Sequence, residues 1–451
     1  MRLISRTALG AATAAVLAVT AVPPSAAQPQ DAATADRTEK SPLVGSSQAA
    51  GQEGRTATVT LVTGDKVLVS TDGSGRTAAT ALPREDGTLP FVQTRRAGEV
   101  TLRWKATAKS PYLYNLAFPE TGRIGSDRTY RVRDGELAEV EATYHAMGVA
   151  TDFFDSTAAY RPVGSAVYFG GTEFVPVPGK RTEFYSAGDT AWDHLVGSSF
   201  PFGELMADQQ RTYRKGQSRS ESWYDGVVAP VAPRDTAGKR VLAAERQGNL
   251  IGFASAMWGD SGHFAHAGGF GDIGNLVLRR DGEEIGRSAG PFGVFEVPAE
   301  DSPYELEQFV LKIGSPARVW QRCQSVKTVW KFRSKLDESA YSQGLGVLFP
   351  GYDLPEDGLK TLPAADGQLI GLRVSGQAGY TPATLNSAKL SYSYDKGETW
   401  TEAKASQRDG RWTATVDHAG AAGKQVTLRS ELTDAKGNSV TQTVVRAYDV
   451  R

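Results

Sequence analysis

A chain of 451 residues is longer than one ordinary hydrophobic core can fill, so its length alone implies several packed units. Its 50 basic and 51 acidic side chains are dispersed and nearly cancel, which leaves no field to hold a polyanion and argues against nucleic acid as a partner. With 49 glycines, 22 prolines and 1 cysteine, the chain turns often and cannot lean on internal disulfides.

Arg2 and Arg6 precede an apolar stretch from Ala8 to Val22, followed by Pro23, Pro24 and the small residues Ser25, Ala26 and Ala27. This pattern predicts a cleaved secretory signal peptide over residues 1–27, with Gln28 as the first mature residue. The stretch is shorter than the about 20 apolar residues a spanning helix needs. No cysteine follows it to accept lipid, so a secreted, extracellular protein without a stable membrane anchor is expected. Residues 28–54 have almost no large apolar side chain and read as a disordered linker.

Residues 55–110 open with a predicted β-hairpin, in which Thr58 to Val62 turn at Gly64 and Asp65 into Val67, Leu68 and Val69. Residues 111–224 form an irregular β-rich region, with short runs at Ser165 to Phe169 and Phe174 to Val177 and helix-like spacing only near Leu137 to Tyr144. In residues 225–353, Leu276, Val277 and Leu278 reach a turn at Asp281 and Gly282, and Ile285 returns. Val294, Phe295 and Val297 continue this meander, and Val329, Trp330 and Phe332 add a strand. Residues 354–451 alternate apolar and polar side chains through Ile370, Leu372, Val374, Leu390, Tyr392 and Tyr394, then from Val440 to Tyr448. The pattern predicts an all-β protein of tandem β-sandwich-like domains, the last one immunoglobulin- or fibronectin-like.

Chemistry is harder to find. Gly259, Asp260, Ser261 and Gly262 copy the nucleophile tetrapeptide of trypsin-like proteases, but His145 and His194 lie in unrelated contexts, so a glycine-rich turn is the simpler reading. His263 and His266, with Asp260 and Asp272 nearby, could ligate a divalent ion, yet their spacing fits no known finger and predicts an exposed loop. Cys323 is expected in the core. Ser393, Asp395, Gly397 and Trp400 match the Asp-box hairpin pattern, a structural device. Trp192, Trp223, Trp258 and Trp412 could stack on sugars, although burial is the ordinary fate of Trp in sandwiches. No catalytic residue, cofactor or metal ligand is assigned from these patterns.

Several stretches resemble the regions that flank the catalytic domain of large secreted subtilisin-like serine proteases of bacteria. At the front this is VTLVTGDKVLV from Val59 to Val69. Further along come RTEFYS (Arg181 to Ser186), WDHL (Trp192 to Leu195), LRRDGEEIG (Leu278 to Gly286), VWKFRS (Val329 to Ser334) and GNSVTQTVVRAY (Gly437 to Tyr448). The family's catalytic Asp, His and Ser motifs are missing, and the space between Val69 and Tyr112 cannot house its α/β core, so no catalytic residue carries over. The resemblance implies a non-catalytic accessory protein that binds an exported serine protease, a cell-wall polymer or another extracellular protein. It also implies that the loop from Asp260 to Gly268 belongs to a non-catalytic tail. A serine hydrolase using Ser261 with His263 or His266, and a carbohydrate-binding protein, are the alternatives.

Overall fold

The computed structural model describes residues 55–60, 66–71, 77–81, 92–93, 102–103, 112–118, 130, 132–160, 168–198, 204–260, 262–265, 271–314, 316–408 and 410–451. Two compact units emerge, residues 1–57 with 70–78, and residues 58–69 with 79–451. Strands form at Arg55–Thr60, Lys66–Thr71 and Thr77–Ala81. The expected signal peptide over residues 1–27, the expected linker over residues 28–54 and the turn at Gly64 and Asp65 lie outside the described residues. No helix among the described residues is long and apolar enough to cross a membrane.

The protein is all-β, and its regular elements beyond strands are two 3-10 turns, Asp134–Glu136 and Pro316–Arg318, among the described residues. The first sandwich faces a four-stranded sheet, ordered Ser218–Trp223, Leu137–Tyr144, Gly179–Ser186 and Tyr112–Asn115, against a second sheet. The latter ends in Ala191–Gly197, Thr151–Tyr160 and, at its edge, Tyr168–Val177. Leu137–Tyr144 is a strand and not the helix its spacing suggests: Ala138, Val140, Ala142 and Tyr144 all point inward, so the working period is two.

The second sandwich rests on a meander of Glu283–Ser288, Asp272–Arg280, Ser302–Lys312 and Ser325–Ser334. Asp281 and Gly282 both take positive φ, 51° and 85°, as a tight two-residue hairpin requires. Gly293–Glu296 does not continue this meander. It pairs with Leu250–Phe253 in the facing sheet, which also holds Ala244–Gln247 and Gln343–Gly344. Phe253 meets Trp330 across the gap with ring centroids 4.9 Å apart.

The third sandwich has the immunoglobulin partition of strands. In chain order its main strands are Phe349–Asp353, Gln368–Ser375, Leu385–Ser393, Lys404–Arg408, Arg411–Val416, Gln425–Asp434 and Ser439–Val450. The first, second, fifth and fourth form one sheet, and the seventh, sixth and third form the other. Ser439–Val450 pairs on its other side with Ser325–Ser334, so one nine-stranded sheet serves both the second and third sandwiches. A single buried apolar cluster accordingly runs from Ala142 to Val450.

Candidate functional site

The first sandwich is unusual in what its strands turn inward. Alternation buries Arg181, Glu183 and Tyr185 on one strand, Phe153, Asp155, Thr157 and Ala159 on another, and Trp192, His194 and Val196 on a third. Glu221 and Trp223 enter from the neighbouring edge strand. Apolar residues close the two ends of this layer, Val140, Tyr185 and Tyr213 at one and Phe153, Val196 and Trp223 at the other. Charged groups fill its middle.

These charges alternate in sign along a row. Arg181 Nη2 lies 2.6 Å from Asp155 Oδ2 and 2.6 Å from Glu183 Oε1, and Nη1 pairs with Glu173. Asp155 Oδ1 is 3.0 Å from His194 Nε2, whose other ring nitrogen lies 3.8 Å from Glu221 Oε2. Glu221 Oε1 is 3.6 Å from His263 Nε2, and His263 Nδ1 is 3.0 Å from Asp260 Oδ2. The Trp223 indole stacks on His263 with centroids 3.7 Å apart and meets His194 at 61° with centroids 4.6 Å apart. Tyr144 and Tyr185 donate to Glu183 at 2.5 Å each.

Burial works against charge on Arg181, Asp155, His194, Glu221, His263 and Asp260, and the pairing outweighs it, whereas on Glu173 burial prevails and raises the carboxyl. Burial alone would lower His263, but Asp260 and Glu221 lift it to about 9. His194 rises likewise against burial through Asp155, Glu183 and Glu221. Burial would raise Asp155, yet His194 and Arg181 hold it at about 2. Both imidazoles are therefore cations near neutral pH, flanked on each side by carboxylates. Asp155, Glu183 and His194, and separately Asp208, Glu221 and His263, bring possible ligand atoms within 4.8 Å. A divalent ion at either set would have to displace the protons that now balance these acids.

A second constellation lies beside the first. His145 follows directly on Leu137–Tyr144, and its Nε2 is 3.1 Å from Ser222 Oγ. Its Nδ1 is 3.5 Å from Glu356 Oε1, beyond a good hydrogen bond. Glu356 Oε1 accepts instead from Lys360 Nζ at 2.8 Å and from the Gly226 amide at 3.0 Å. Burial first, and the Lys360 ammonium second, lower the His145 pKa and keep the ring neutral. The Asp225 carboxylate stands 3.9 Å from Nε2, on the hydroxyl side. A hydroxyl and a carboxylate thus stand near opposite nitrogens of one imidazole, drawn from three distant parts of the chain. Sequence reading missed it because no local motif joins positions 145, 222 and 356.

Ser261 and His266 lie outside the described residues. His263 is not on an exposed loop: it is 5% accessible, because Asp260 folds the turn back by accepting from the Gly262, His263 and Tyr224 amides. Asp272 pairs with Lys312 instead. Cys323 is buried and its thiol is pushed up to about 11 by that burial, which makes it unreactive. Trp192, Trp223 and Trp258 are buried, and Trp412 is half-buried. In the Asp-box, Ser393 Oγ accepts from the Gly397 amide at 2.8 Å, Asp395 accepts from the Thr399 amide at 2.9 Å, and the Trp400 ring lies against Gly397.

No family model and no curated protein matches the chain. Among solved structures it is similar to a stretch of domains from titin, at 10% identity over 87% of this chain and 98% of that one, with a TM-score of 0.14. It is also similar to Escherichia coli alpha-2-macroglobulin activated by porcine elastase, at 11% identity over 68% of this chain and 30% of that one, with a TM-score of 0.15. Neither likeness bears on what the chain does.

Proposed function

We propose that the chain is a secreted, non-catalytic accessory protein that binds an exported partner, a subtilisin-like serine protease before a surface polymer. The observation that carries this reading is the state of the buried imidazoles. His194 and His263 are each clamped between carboxylates as cations, so neither has a lone pair to accept a proton. These two imidazoles act here as internal ion pairs, and the sandwiches leave their loops for recognition. Mixing the purified protein with an exported serine protease is expected to give a co-eluting complex on gel filtration. Elution as separate species, with unchanged protease activity, argues against the protease as partner.

The 3.1 Å contact of Ser222 with His145 favours one second reading, a serine hydrolase. It is weaker because Glu356 is turned to Lys360, and Asp225 would repel an oxyanion forming beside Ser222. A fluorophosphonate probe separates the readings: labelling of the wild type that Ser222→Ala abolishes establishes the hydrolase, and no labelling removes it.

A further inference from the structure

Where the first and second sandwiches meet, one amine and two carboxylates are sealed together. Lys312 Nζ lies 2.7 Å from Asp272 Oδ1 and 2.8 Å from Glu204 Oε2, and all three side chains are at most 1% accessible. Asp272 and Lys312 are direct cross-strand partners in an antiparallel pair, so their side chains rise from the same face. The Trp320 ring stands 4.3 Å from Nζ and the Trp258 ring 5.3 Å, which keeps water away. Glu204 is aimed: its Oε1 accepts from the Tyr224 hydroxyl at 2.7 Å and the Ser198 amide at 3.1 Å, leaving Oε2 to Lys312.

We propose that Lys312 and Asp272 condense to an intramolecular isopeptide bond, with Glu204 as the proton shuttle. Burial works against the Lys312 charge while Glu204 and Asp272 sustain it, so the resting triad holds an ammonium. In a dry site, passing one proton from that ammonium to Asp272 removes two charges at once, leaving an amine beside a carboxylic acid. The amine lone pair then attacks Asp272 Cγ and the N–C bond forms. Glu204 takes a proton from the nitrogen and delivers it to the departing hydroxyl, the C–O bond breaks, and one water leaves. No oxidant, metal or second protein enters the balance. The strand register holds nucleophile and electrophile in contact, which replaces the activation that amide formation otherwise needs.

This step goes beyond any binding role and does not depend on it. The natively folded full chain is expected to weigh about 18 Da, one water, less than its linear sequence. Tandem mass spectrometry of a tryptic digest should place the loss in a branched peptide joining Asp272 to Lys312. Glu204→Gln and Lys312→Arg should each restore the linear mass. A folded wild-type chain at full linear mass, with the two peptides recovered separately, overturns the proposal whether or not the variants fold. Undiminished cross-linking in folded Glu204→Gln overturns the shuttle role.

Discussion

Arg181 holds Asp155, Glu183 and Glu173 at once, and among the described residues no other cation reaches all three. Replacing it with Met strands buried carboxylates, and Arg181→Met is expected to cost about 3–5 kcal/mol in urea unfolding, more than any surface ion pair here. The same row sets a pH window. His263 has its pKa raised from 6.5 to about 9, so its contribution is whole below pH 6.5 and disappears as pH climbs through about 9. Asp155 has its pKa lowered from 3.8 to about 2, so its contribution is whole above pH 3.8 and disappears as pH falls through about 2. Calorimetry should find the melting temperature highest between these limits, and a melting temperature unchanged through pH 9 would contradict the cationic His263. A chelator is expected to leave the melting temperature unchanged, since protons and Arg181 already balance the acids. Little of this was legible beforehand. In Arg181 to Ser186 the apolar Phe184 invites inward placement, yet it faces out and stacks on Tyr114 at 4.8 Å, while Arg181 and Glu183 face in.

At the scale of elements, legibility followed local chemistry. The Asp281–Gly282 hairpin and the Asp-box turn were readable because each needs particular residues at particular positions, positive φ for the first and a side-chain acceptor for the second. Gly282→Ala should therefore destabilise by about 1 kcal/mol, measured by chemical denaturation, because a Cβ is strained at φ 85° even with open space around it. Leu137–Tyr144 misled for an opposite reason. Its inward residues include Ala138 and Ala142, which carry too little apolar weight to reveal the alternation that tertiary packing uses.

At the scale of the molecule, partnerships between distant strands carry no local mark. Nothing near Ser325–Ser334 announces that its neighbour is Ser439–Val450, and Thr328 and Gln442, 114 residues apart, touch across that pairing at 3.1 Å. Removing everything after residue 353 should expose a long apolar edge, and light scattering is expected to show self-association of that truncated chain. A monodisperse monomer would show that the second sandwich completes itself.

The shared sheet also bears on timing. As the polypeptide emerges, whether from a ribosome or a translocation pore, the stretch around Ser325–Ser334 waits for a neighbour more than a hundred residues behind it. Until that neighbour arrives, the half-built layer has an open flank, so vectorial emergence favours a late, concerted closure over piecewise maturation from the front.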